Sequence, residues 1–164
     1  MKRFSTDQTQ ENIEKIIDIL EQTPSELVKL SKDLNSDQLH KPLAPGKRSF
    51  IEDVTHLINV EAIGSRSIFY PLMISDPILG KVHPERDFGN LMKFDELEFE
   101  ELLNYFTTRR KILLRVLKSL KPNDWSKTSA QEGRKNKDTI YRSARGLSIH
   151  EYEHLEKIKE RLEN

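Results

Sequence analysis

The chain contains no cysteine. That excludes disulfides, thiolate zinc sites and a cysteine nucleophile, and any metal has to be held by His, Asp or Glu. Net charge is also missing: 27 Lys and Arg stand against 27 Asp and Glu, so no overall field draws the chain to nucleic acid or to an anionic membrane. The one short basic run, Arg134-Lys135-Asn136-Lys137, reads as a solvated loop. No run approaches membrane-spanning length. The N-terminal stretch Met1-Lys2-Arg3-Phe4-Ser5-Thr6-Asp7 has no apolar signal core, and the expectation is a soluble, cytoplasmic protein. Alternating β-branched residues are scarce too, which favours an all-α domain. At 164 residues the chain fits one domain, 1–164, with a substantial core.

What is present is helical periodicity. Ile13, Ile16, Ile17 and Leu20 predict a first helix over about 7–22. Thr23-Pro24-Ser25-Glu26 reads as a restart with Thr23 as N-cap, and Leu27, Leu30 and Leu34 carry on inward, so this helix is expected to be long and kinked at Pro24. Pro42, Pro45 and Gly46 make 35–48 a connection. Ser49-Phe50-Ile51-Glu52 is a capping box opening a second helix with Ile51, Val54, Leu57, Ile58, Ala62 and Ile63, weakening near Pro71. Residues 75–94 have no period and form a long connection, of the kind that is often functional or required by topology. A third helix spans about 95–120, where Arg109 and Arg110 break the apolar stripe and are expected to snorkel to solvent. Residues 123–137 read as a polar loop with Trp125 buried. A fourth helix starts with Asp138 as N-cap and runs almost to residue 164. Four such stripes are most simply buried in a four-helix bundle.

The fourth helix carries the chemistry. His150 and His154, four residues apart, lie on one helical face, and His154 interrupts the stripe Leu147, Ile158, Leu162. Two imidazoles so placed can grip a transition-metal ion. Among the other histidines, His40 and His83 lie in expected loops and His56 lies in the second helix. His56 is about 10 Å in from that helix's start, and His154 about 13 Å from the fourth helix's end. The heights agree if the two helices are antiparallel; if they are parallel the mismatch is near 10 Å. Asp53 and Glu52, one turn before His56, are candidate orienters of its ring. The peptidase pattern H-E-x-x-H is matched by His150-Glu151-x-x-His154, but no third histidine follows and no supporting sheet is evident, so a metallopeptidase is disfavoured.

Two segments carry a family resemblance. The stretch from Pro45-Gly46-Lys47-Arg48-Ser49-Phe50 through His56-Leu57 to Glu61, with Phe50 at a position usually Trp, and the terminal His150-Glu151-Tyr152-Glu153-His154 resemble the DinB/YfiT-like family of bacterial metalloenzymes; Arg66, ten residues past His56, matches as well. The resemblance implies a four-helix bundle of up-down-down-up topology with a long crossover between helices two and three. It implies a divalent ion (Zn, Ni, Fe or Mn) on His56, His150 and His154, and a homodimer. It also implies small-molecule chemistry, either thiol transfer from a low-molecular-weight thiol or hydrolysis. Glu151 is then a candidate proton relay, otherwise a solvated carboxylate. Arg66 is a candidate for an anionic group of the cofactor, otherwise a surface ion pair. The rival reading is a stress-associated binding module without turnover, its metal structural or absent.

Overall fold

The computed structural model describes residues 4–163; residues 1–3 of the polar N-terminal stretch, and residue 164 at the expected end of the last helix, lie outside the described residues. The elements in order are α1 (Gln10–Ser31), α2 (Ser36–His40), α3 (Phe50–Gly64), α4 (Arg66–Met73), β1 (Ile78–Leu79), a π-helical turn (Pro84–Gly89), α5 (Asn90–Met92), a 3-10 turn (Phe94–Glu96), α6 (Phe99–Ser119), a second 3-10 turn (Asp124–Ser126), β2 (Thr128–Gln131), β3 (Asp138–Thr139) and α7 (Ile140–Leu162). The four bundle helices are α1, α3, α6 and α7. α4 follows α3 after the single residue Ser65.

Helix directions follow from how the core divides. One cluster joins Ile13, Ile16 and Leu20 of α1 to Leu113, Leu114 and Leu117 of α6 and Ile140, Ala144 and Leu147 of α7. The other joins Leu27 of α1 to Ile51, Val54 and Ile58 of α3, Leu102 and Phe106 of α6, and Leu155 and Ile158 of α7. The early half of α1 therefore packs on the early half of α7 and the late half of α6. Likewise the early halves of α3 and α6 meet each other and the late half of α7. So α1 and α7 run one way and α3 and α6 the other, which is up-down-down-up. Parallel α3 and α6 need a connection as long as the bundle, and residues 74–98 provide it.

Several local expectations are corrected. α1 passes through Pro24 without a restart. Thr9 is its N-cap, accepting from Asn12 N, and Thr23 is buried, its hydroxyl donating to Ile19 O at 3.0 Å. Proline has no N–H for the carbonyl four residues back, and Leu20 O instead accepts from Arg110 Nη1. Arg110 is therefore not a snorkelling surface residue. It is buried at 1% exposure between Glu61 (2.7 Å) and Glu151, with Arg109 Nε 3.4 Å from Glu61 Oε1. The pattern alone could not separate this reading from a snorkelling one, because both place a long cationic stem on the apolar stripe.

The connection at 35–48 contains α2, closed by an Asn35/Gln38 capping box. α6 starts at Phe99, four residues after the expected start, because Phe94–Glu96 forms a separate turn. The expected loop after α6 holds β2, which pairs in parallel with β1 of the crossover (Ile78↔Ala130) and antiparallel with β3 (Thr128↔Thr139). Trp125 is buried as expected. Thr139 rather than Asp138 caps α7, accepting from Arg142 N at 3.1 Å. Among the described residues, no helix is long and apolar enough to cross a membrane.

Candidate metal centre

The capping box at Ser49 starts α3. Ser49 Oγ accepts from Glu52 N (3.3 Å) and Glu52 Oε2 accepts from Ser49 N (2.7 Å). Glu52 is thereby spent on the helix start and does not orient His56. Two turns on, His56 faces α7, where His150 and His154 stack on one face with ring centroids 4.3 Å apart. His56 stands 5.0 Å from the first ring and 4.6 Å from the second. One ligand nitrogen from each lies within 4.8 Å of the others. α3 and α7 run antiparallel, the arrangement in which the expected depths of His56 and His154 agree.

The surroundings fix the rings. His56 Nδ1 donates to Glu85 Oε1, and Asn59 Nδ2 donates to Glu85 Oε2 at 3.2 Å. Glu85 comes from the π-helical turn of the crossover, a residue that sequence reasoning missed. Its carboxyl is held below the usual range chiefly by the hydrogen bond from His56. With its proton on Nδ1, a neutral His56 presents a lone pair at Nε2, and that nitrogen lies 3.1 Å from His150 Nε2. Asp53 flanks His154 rather than His56, with Oδ1 3.9 Å from His154 Nδ1. It is buried and anchored by Arg161 at 2.7 Å. Burial pushes the Asp53 carboxyl up, against the pull of Arg161 and Arg48.

The donor set fits a divalent cation. Burial, reinforced by the neighbouring imidazole and by Lys157 and Arg48, pushes His150 down to about 4 and His154 to about 3. Both are therefore neutral at pH 7, with lone pairs available. Their Nδ1 atoms are buried without a hydrogen-bond partner among the described residues; on His150 the atom turned to His56 is Nε2, so an ion shared by those two rings would leave the His150 Nδ1 unpaired. Two nitrogens bound to one tetrahedral ion at about 2.05 Å stand about 3.3 Å apart, close to the 3.1 Å found here. His56 and His154 keep 12% and 14% side-chain exposure, and His154 lines a groove on the surface.

The other candidates fall elsewhere. Glu151 points into the core, fully buried, and binds Arg110 through both carboxylate oxygens. Burial pushes its carboxyl up. This corrects the solvated-carboxylate expectation, leaves a proton relay at Glu151 without a path to solvent, and removes the general base that the peptidase pattern requires. Arg66 donates to Ile63 O (3.2 Å) and Gly80 O (3.4 Å), tying α4 to the crossover in place of the expected ion pair. It lines a separate groove with Lys81, Arg86 and Arg134. His40 is exposed, with Nδ1 against Ser36 O. His83 caps the π-helical turn, accepting from Glu85 N and Arg86 N.

A bundle with two parallel middle helices and a three-histidine cluster between its second and last helices defines the class. The model of the DinB superfamily matches residues 19–158, and the chain belongs to that superfamily. Three chains of solved structures match. One is YfiT from Bacillus subtilis, described as a probable metal-dependent hydrolase with an unusual four-helix bundle topology. It is 16% identical, covers 96% of this chain and 89% of its own, and has a TM-score of 0.83. At that identity the likeness speaks for the fold. No curated protein matches the chain.

Proposed function

We propose that this protein is a metal-dependent enzyme acting on small molecules, with one divalent ion held by His56, His150 and His154. The observation that carries the reading is the convergence of three imidazoles from chain positions 94 residues apart, two of them neutral at pH 7 and one clamped by a carboxylate. A divalent ion held there supplies Lewis acidity, which lowers the pKa of water or a thiol and polarises a carbonyl or phosphoryl oxygen. Three protein donors, rather than a closed set of four, favour a catalytic over a structural site. The residues around it hold positions: Glu85 keeps the His56 proton on Nδ1, and Asp53, held by Arg161, stands beside His154. Zn, Ni, Fe and Mn all suit imidazole donors.

Superfamily membership and the description of YfiT support hydrolysis, and thiol transfer with a low-molecular-weight thiol is the second reaction class. The direct experiment is elemental analysis with cobalt(II) absorption spectroscopy on wild type, His56→Ala and His154→Ala. One ion per wild-type chain is expected, with weak binding in both variants and unchanged circular dichroism. Wild type that binds no divalent ion in the micromolar range refutes the reading. Screening ester hydrolysis and thiol conjugation to a generic electrophile, with and without metal, then separates the reactions from each other and from a binding module without turnover.

A further inference from the structure

His154 opens onto a cavity of about 680 Å³ walled by Gly46, Lys47, Arg48, Asp53, Lys157, Glu160 and Arg161. Its charge is uneven. Four of those side chains are cationic and two are carboxylates, and Asp53 is buried against Arg161 at 2.7 Å. Lys47 and Lys157 are exposed, and no ion pair ties either to a carboxylate among the described residues. Arg48 is 4.0 Å from Asp53 and 41% exposed, so its guanidinium remains open to solvent.

The placement follows from two local features. On α7, positions 150, 154, 157 and 161 fall at i, i+4, i+7 and i+11, which is one helical face; the two histidines and two cations therefore form a single stripe. Opposite it, the turn before α3 brings up Lys47 and Arg48. That turn depends on Gly46, whose φ of +68° is the left-handed conformation glycine adopts without strain, and it is closed by Lys47 N donating to Ala44 O at 3.0 Å. The chain as a whole is neutral, so the concentration of cations beside the imidazoles is local.

We propose that this groove is an oxyanion subsite, in which Lys47, Arg48 and Lys157 bind a carboxylate or phosphate group of the molecule that reacts beside the imidazoles. The substrate role rests on the reading above; the anion site itself does not require a metal. His154 forms part of the groove wall, so a ligand anchored there by its anionic end lies against the candidate centre. Selectivity follows: acidic small molecules are taken up and neutral analogues of the same size are poorly held. Exposed cations bind weakly and are screened by salt, so the subsite orients its ligand more than it retains it.

The test uses chelator-treated, 15N-labelled full-length protein titrated at low ionic strength with inorganic phosphate and, separately, with succinate. The expected result is saturable shifts of the amides of Gly46, Lys47, Arg48 and Lys157 with at least one of the two, the better ligand naming the oxyanion. Each cation removed should weaken binding about fivefold, and Lys47→Gln with Lys157→Gln about twentyfold. The exposed Lys111 on α6 is the charge control, and Lys111→Gln should bind as wild type. Three results overturn the proposal: scattered shifts that do not saturate, saturable shifts centred on Arg66, Lys81 and Arg134, or a double variant that binds as tightly as wild type. Protein that saturates here but takes up no divalent ion refutes the metal reading alone. Protein that takes up the ion but does not bind either anion here refutes the subsite alone.

Discussion

Glu85→Ala tests whether the crossover is part of the metal site. Two contacts vanish in this variant, the charged acceptor of His56 Nδ1 and the acceptor of Asn59 Nδ2. A hydrogen bond to a charged group contributes about 1.5–3 kcal/mol. Glu85 is 38% exposed, so water replaces part of it and the lower end applies. About 1.5 kcal/mol is about a tenfold loss of affinity, the low end of the range of about 10–100-fold that follows loss of a ligand's hydrogen-bond partner. Glu85→Gln keeps an acceptor for His56 without its charge and should fall between the variant and wild type. Competition against a chromophoric chelator at pH 7.5 measures this directly, with circular dichroism as the control for folding. Affinity within twofold of wild type would show that the clamp is irrelevant. A loss as deep as that of His56→Ala would show that Glu85 is itself a ligand, and the orienting role would be wrong.

Other perturbations probe other parts of the same account. Gly89→Ala places a methyl 2.6 Å from Asn59 Nδ2 and 3.3 Å from Pro84 O; Asn59 is fully buried and cannot swing away freely. Metal affinity should therefore drop in the direction of Glu85→Ala but by less, measured by the same competition. Arg110→Met strands Glu61 and Glu151 in the core and should cost about 3–5 kcal/mol, read by urea unfolding. Glu151 already titrates high through burial, so the native state retains protons that the unfolded chain releases above about pH 4.5; the deficit of the variant should widen as pH rises from 5 to 8. In metal-free wild type the two site histidines contribute in the opposite sense. His150 and His154 are pushed down from 6.5 to about 4 and about 3, so the unfolded chain binds the extra protons and their contribution to stability should fall as pH drops from about 6.5 towards 4. Glu151 and Asp53, raised by burial, contribute in the other direction over the same window, so the histidine share is read as the difference from a His150→Gln, His154→Gln variant; a difference that does not change with pH would contradict the burial of the two rings.

Much of the architecture was written in short-range pattern. Ser49 and Glu52 announce α3, and the unpatterned stretch after Ile74 announces a crossover. The spacing of His150 and His154, with the depth of His56, anticipates the cluster. What remained hidden depends on partners distant in sequence. Nothing near Glu85 marks it as a ring clamp, because its partners lie 29 and 26 residues earlier. Arg110 looked like a surface cation because the carboxylates that neutralise it come from α3 and α7. The small sheet escaped notice because two- and four-residue strands are too short to show a period. Asp138 and Thr139 are both good caps, and only the backbone distinguishes them.

The proline in α1 has a consequence beyond its own helix. By leaving Leu20 O without its usual donor, it creates one socket at a fixed height along α1, and the Arg110 guanidinium plugs into it while also gripping Glu151. Antiparallel neighbours can slide by a turn with little change in apolar contact; this plug allows no such slip between α1 and α6, and through Glu151 it holds α7 at the same level. His150 is the very next side chain, so an amide hydrogen missing from the first helix helps set the elevation of an imidazole in the last.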